Sequence, residues 1–284
     1  KVIMDNLSFI TIYFVLLNLI LLSTSALGAE QKSEAQFTAP KDLDLEFLIL
    51  SQQLKDRKEH KPIGLYTKFD TSLLYSVTES DQVRLFQSSI YEYYGDKDDG
   101  ENKLYPELAE AMYRRKKILN QKDQFIDLDL ELKTYYVMDD DLRERWGYNG
   151  SFIPQLVAQK NILPWLHVKS KIRYPLNYIT SGEPTTTRSE IRYYLSPTII
   201  FSRQFMFNTE LTYKHKIKNR KTAYTNKFYD YLELRPSMLY LVSRNLMTEI
   251  YGETMLMRSH DGVTISETAG EEFVIGAALY LSVF

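Results

Sequence analysis

The sequence predicts an all-β protein, a transmembrane antiparallel up-and-down β-barrel of about twelve strands, with ten strands and a helical insertion at 96–122 as the alternative. Three observations carry this. Long runs alternate apolar and polar residues with a period of two, which gives a strand two unlike faces. The connections between these runs alternate short and long, as when turns occupy one rim of a barrel and loops the other. Near the N-terminus, Phe9 to Leu22 (FITIYFVLLNLILL) forms one apolar run. It is about 14 residues long, the length of an export signal and short of the roughly 20 that a helical span needs.

The C-terminal run shows the alternation best. Phe273, Ile275, Ala277, Leu279, Leu281 and Val283 form one apolar row; Glu272, Val274, Gly276, Ala278, Tyr280, Ser282 and Phe284 form the other. Phe125–Val137 opposes Ile126, Leu128, Leu130 and Leu132 to Asp127, Asp129, Glu131 and Lys133. The same division runs through Ile162–Leu176, Glu190–Ser202 and Phe205–Ile217. Ile63–Val77, Val83–Tyr94, Ser151–Gln159, Phe228–Val242 and Leu246–Arg258 are less regular strands. Leu43–Ser51 is short. Leu108–Leu119 (LAEAMYRRKKIL), behind Pro106, also reads as a helix; with both of these runs excluded the count is ten, and with both as strands it is twelve.

Short connections are expected near Glu79–Asp81, Asn120–Asp123, Gln159–Asn161, Ser202–Gln204 and Ser243–Asn245. The long ones are Lys55–Pro62, Gly95–Glu107, Met138–Gly150, Asn177–Arg188, Lys218–Lys227 and Ser259–Ala269. Strands of soluble domains average about 5–6 residues, and these runs are far longer, which disfavours a lipocalin-like barrel or a sandwich. Pro154, Pro164, Pro197 and Pro236 lie within strands and each removes a ladder donor, so bulges or breaks are expected there. Ala26 and Gly28 suit signal cleavage, giving a signal peptide over 1–28, a flexible lead-in over 29–42 and the barrel over 43–284. An uncleaved anchor helix is the alternative for the first segment.

Composition narrows the function. A net charge of −2 gives no reason to expect nucleic-acid binding, and the absence of cysteine removes thiolate metal sites. The 22 tyrosines suit strands and membrane interfaces alike. Overall hydropathy is mildly polar, as a barrel permits, since only alternate residues need be apolar.

The export signal, long strands and aromatic C-terminus, with Phe284, Tyr280 and Gly276 in the last strand, resemble Gram-negative outer-membrane β-barrel proteins of porin-like size. Phe284 departs from that pattern in lying off the continuous apolar row. The resemblance implies the bacterial outer membrane, contact with its lipid and lipopolysaccharide, and recognition of the last strand by the barrel-assembly machinery. A homo-oligomer is compatible with it.

If the polar rows face inward, neighbouring strands gather Lys169, Lys171 and Arg173 with Arg192, Lys214 and Lys216, interspersed with Glu190 and Glu210. Glu233 and Arg235 follow, then Glu249, Glu253 and Glu272; Asp127, Asp129 and Glu131 form an acidic run on an earlier strand. These charges suit a water-filled channel for passive diffusion of small hydrophilic, including anionic, solutes. They suit equally a closed lumen filled by cross-strand pairs, with loops that bind a partner. The third reading is an outer-membrane hydrolase of phospholipase type. Against it, His60, His167, His215 and His260 build no catalytic constellation with a neighbouring serine. No cofactor or metal site is expected: Asp96–Glu101 lacks the spacing of a calcium loop, and Asp139–Asp141 reads as solvated loop.

Overall fold

The computed structural model describes residues 43–55, 62–93, 102–179, 186–218, 228–260, 263–265 and 273–283. The expected signal peptide and lead-in lie outside the described residues, as do His60, the 96–101 loop, Glu272 and Phe284.

The alternating runs become long antiparallel strands because each can present its apolar row to lipid while its backbone is satisfied by two neighbours. They are β1 (Leu43–Lys55), β2 (Pro62–Ser76), β3 (Asp81–Tyr93), β4 (Lys103–Leu119), β5 (Asp127–Val137) and β6 (Tyr148–Leu163). Next come β7 (Leu166–Arg173), β8 (Leu176–Ile179), β9 (Thr187–Ile200), β10 (Phe205–Lys218), β11 (Phe228–Ser243) and β12 (Leu246–His260). A three-residue β13 (Val263–Ile265) extends β12, and β14 (Val274–Ser282) is last. β7 and β8 run end to end between β6 and β9, so together they make one strand of a twelve-stranded wall. β14 pairs with both β12 and β1, with Leu48 opposite Tyr280, and the sheet closes on itself.

Exposure identifies the faces. Phe47, Phe69, Leu85, Leu156, Ile172, Ile250 and Ile275 are exposed on the outer row. Asp129, Glu190 and Glu249 on the inner row are only 1%, 3% and 4% exposed. A soluble barrel would reverse this. Exposed Tyr75, Tyr113, Trp165, Phe201 and Tyr240 cluster near the short turns, and Tyr136, Tyr178 and Tyr213 nearer the long connections, as interfacial girdles do.

The ten-strand alternative is not realised. Residues 103–119 form β4, and a single helical turn, α1 (Gln121–Gln124), follows it. Pairing with β3 and β5 outweighs the helix propensity of LAEAMYRRKKIL: Glu110, Met112 and Arg114 turn inward, and Ala109, Ala111 and Tyr113 outward. The turn expected at Gln159–Asn161 is displaced to Pro164–Trp165, and Ile162 belongs to β6. Alternation continues through this hairpin without a phase change, so the pattern does not mark the turn, whereas the proline does.

Prolines interrupt the ladder as expected. Pairing of β9 with β10 skips Ser196 and Pro197, and pairing of β11 with β12 skips Arg235 and Pro236. Opposite Pro154 the partner strand itself breaks at Tyr174–Pro175; one bond survives, from Tyr174 N to Pro154 O at 3.0 Å.

Candidate functional site

The inner rows of β7, β9 and β10 adjoin in register, with Lys171 opposite Tyr194, Arg173 opposite Arg192, and Arg192 in turn opposite Lys214. They build one wall carrying Lys169, Lys171, Arg173, Arg192, Lys214, Lys216 and Lys218. Some of these cations are compensated. Arg192 donates to Glu190 at 2.5 and 3.0 Å, Lys171 to Glu210 at 3.4 Å, and Lys214 pairs with Glu233 at 2.5 Å. Lys169, Arg173 and Lys216 have no carboxylate within ion-pair distance among the described residues, and Lys218 donates to the Thr187 hydroxyl at 3.1 Å. Tyrosine rings support several of them: Lys171 lies 4.3 Å from the Tyr194 ring centre, Lys216 4.9 Å from Tyr231 and Lys218 5.5 Å from Tyr229.

Elsewhere in the described interior, opposite charges pair across neighbouring strands. Arg114 meets Asp129 at 2.6 Å; Glu131 accepts from Gln155 at 2.8 Å and pairs with Lys133 at 3.0 Å. Lys68 meets Glu107 at 2.9 Å and Arg84 meets Glu110 at 2.7 Å. On the β11–β12–β14 side, Arg235 donates to Glu249 at 3.2 Å and stacks 4.0 Å over the Tyr251 ring. Tyr280 donates to the same carboxylate at 2.6 Å. Glu253 joins this group around a space of about 250 Å³ at mid-barrel.

The connection between β5 and β6 is more than an outer loop. It holds α2 (Asp140–Trp146), capped at its start by Asp139, whose Oδ1 accepts from Leu142 N at 2.9 Å. At its end Gly147, at φ 73°, returns its N–H to Arg143 O at 2.8 Å, a conformation natural to glycine. Leu142, 2% exposed, packs on Ile90, Tyr105 and Val137, with Tyr66, Tyr135, Trp146 and Tyr148 around them. Ile90, Tyr105 and Val137 are inner-row residues, so α2 lies against the inside of the wall and narrows the mouth. Arg143 ties it down through Tyr136 Oη at 2.7 Å and Val137 O at 3.1 Å, and also pairs with Asp140. At its exposed edge Lys103 Nζ bonds Asp141 at 2.5 Å and holds that carboxyl below its ordinary range. A cavity of about 470 Å³ remains between the end of α2 and the cationic wall.

The basic set and Glu233, Arg235, Glu249 and Glu253 stand on inner rows; so do Asp129 and Glu131, both committed to partners. Asp127 is taken up locally, accepting from Gln121 N at 2.7 Å at the start of α1. Lys218 and α2 were not expected in this region. Their sequence signals were the continued even row of β10, and an Asp-to-Gly capped segment with Leu142 and Trp146 four apart. His167 is inward, with Nδ1 2.8 Å from Asn161 Oδ1. His215 is on the outer row, 2.8 Å from Asp230, which also accepts from Tyr213 Oη at 2.6 Å. Among the described residues no group of three or more potential metal ligands gathers.

This chain is similar in structure to an outer membrane channel from Pseudomonas putida F1, with TM-score 0.57 and 11% identity, over 89% of this chain and 100% of the other. The fold is that of the outer-membrane porins. The NanC porin matches with TM-score 0.51 and 10% identity, over 84% of this chain and 98% of its own. The KdgM porin, solved in complex with disordered oligogalacturonate, matches with TM-score 0.50 and 8% identity, over 84% and 99%. No protein-family profile matches the sequence, and no curated protein matches it.

Proposed function

We propose that the protein is a passive channel of the bacterial outer membrane for small hydrophilic anions, made with an export signal over 1–28. The supporting observation is the cationic wall of β7, β9 and β10, partly uncompensated and facing the space that α2 leaves open. In a narrow lumen with low-dielectric walls, such charges concentrate counter-ions and set their selectivity. KdgM was solved with oligogalacturonate, an acidic sugar chain, and that charge sign agrees with this wall. The lipid-facing row would contact outer-membrane lipid, and β14 would be the strand read by assembly machinery.

The test is ion selectivity in a planar bilayer. Reversing Lys169, Lys171 and Arg173 together to glutamate is expected to move the zero-current potential across a salt gradient toward cation preference. An unchanged potential from a folded triple variant would exclude these side chains from the ion path. The competing reading, a closed structural barrel, draws on the mid-barrel pairs Lys214–Glu233 and Arg235–Glu249. Heat-modifiable protein that never conducts would establish it.

A further inference from the structure

The cavity beside α2 gathers more positive charge than a simple conduit needs. Arg173, Arg192, Lys216 and Lys218 line it, with Arg145 from α2; the carboxylates are Glu144 and Glu190. Glu190 is occupied by Arg192 through two bonds. Four cations, Arg145, Arg173, Lys216 and Lys218, are left around one partly open space against Glu144, and among the described residues Arg173 Nε is buried with no hydrogen-bond partner. Burying a cation without a counter-charge is costly, and several in one cavity also repel. Neutral polar groups line the same space: Tyr135 and Tyr148, whose hydroxyls lie 3.5 Å apart, and Asn177, whose Nδ2 donates to Thr187 O at 2.7 Å.

We propose that this cavity is a saturable binding site for a compact multivalent oxyanion, such as a phosphate, sulfate or dicarboxylate group borne by the solute. The proposal deepens the channel reading and rests on it for the route by which the anion arrives. A monoanion would offset only one of these charges. A dianion with several oxygens accepts from the planar Arg173 fork and from both ammonium groups at once. Trp146 and Tyr148, with ring centres 5.7 Å apart, wall the other side and bound the group's size.

The experiment is calorimetric titration of the folded, detergent-solubilised barrel at low ionic strength with sulfate, malonate and acetate. Sulfate, malonate or both should bind saturably at one site, and acetate should not; which dianion binds identifies the oxyanion. Arg173→Gln and Lys216→Gln should each weaken binding about tenfold, the effect of removing one charge-assisted hydrogen bond. Arg173→Lys should fall between, since it keeps the charge and loses the fork. Heat-modifiable migration checks that each variant is folded. Absence of saturable binding, equal binding of acetate, or affinity unmoved by both glutamine variants would overturn the site. A barrel that binds but does not conduct removes the channel reading alone, and one that conducts without binding removes only this inference.

Discussion

Replacing Asp140–Trp146 by a short Gly-Ser linker is expected to raise single-channel conductance severalfold while leaving the barrel folded. α2 is held to the wall by one buried side chain, Leu142, by the Arg143 bonds and by the exposed Lys103–Asp141 pair. None of these belongs to the ladder that closes the sheet. Exposed ion pairs contribute little, so Leu142 is the main anchor. Leu142→Asn should therefore reproduce part of the effect, because it buries an amide among Ile90, Tyr105 and Val137. Anion selectivity should weaken together with the gain in conductance, since ions would then pass at a distance from the cationic wall. Conductance unchanged in both variants would mean that α2 does not stand in the ion path.

The largest effect on stability is expected from Gly276→Val. Gly276 faces inward opposite Tyr251, and a Cβ there would come within 2.3 Å of that ring. Moving the ring aside would break the contacts that hold it. Tyr251 is 3% exposed, Arg235 stacks on it at 4.0 Å, and its hydroxyl donates to Gln52 Oε1 at 3.1 Å. Overpacking of this kind costs about 1–3 kcal/mol, more in a wall that cannot expand, and the thermal transition seen by gel migration should fall accordingly. In a Tyr251→Ala background the same substitution should be nearly neutral, which makes the pair strongly non-additive. Gly252 supplies the comparison. Its added Cβ would meet the Phe273 ring at 2.6 Å, but Phe273 is 39% exposed on the outer row and can swing toward lipid. Gly252→Val should be the milder change, and a larger loss there than at Gly276 would contradict the packing argument.

Much of this was legible in the sequence for a simple reason. A barrel strand is read by a period of two over ten or more residues, and its neighbours repeat the signal, so Lys169, Lys171, Arg173, Arg192, Lys214 and Lys216 fall on one face by sequence alone. Pairing then decided what local pattern left open. In β4 the run Ala109-Glu110-Ala111-Met112 favours a helix by propensity, and the long-range bonds to β3 and β5 outweigh it. The inward fold of α2 was not legible. The apolar floor that receives it is spread over Ile90, Tyr105 and Val137 on three strands, and each alone reads as an ordinary strand residue. That long connection also carries a cap pair, Asp139 and Gly147, of which the acidic run Asp139–Asp141 alone reads as solvated loop.

The pairing of β1 with β14 has a consequence for how the molecule forms. Ser282 Oγ bonds Asp44 Oδ1 at 2.8 Å across 238 positions of sequence, and Val283 N bonds Leu45 O at 2.9 Å. Every other neighbouring pair of wall strands is joined by a local connection and can zip as a hairpin. This one contact must wait for all the rest. Until it forms, the sheet has two open edges of unpaired backbone that hydrocarbon cannot satisfy and that other chains can extend. Contacts of such long range are slow to form, so closure of this seam is the expected rate-limiting event in folding. Substitutions along Leu45–Gln52 or Gly276–Ser282 should slow acquisition of the heat-resistant form more than equally destabilising changes elsewhere in the wall.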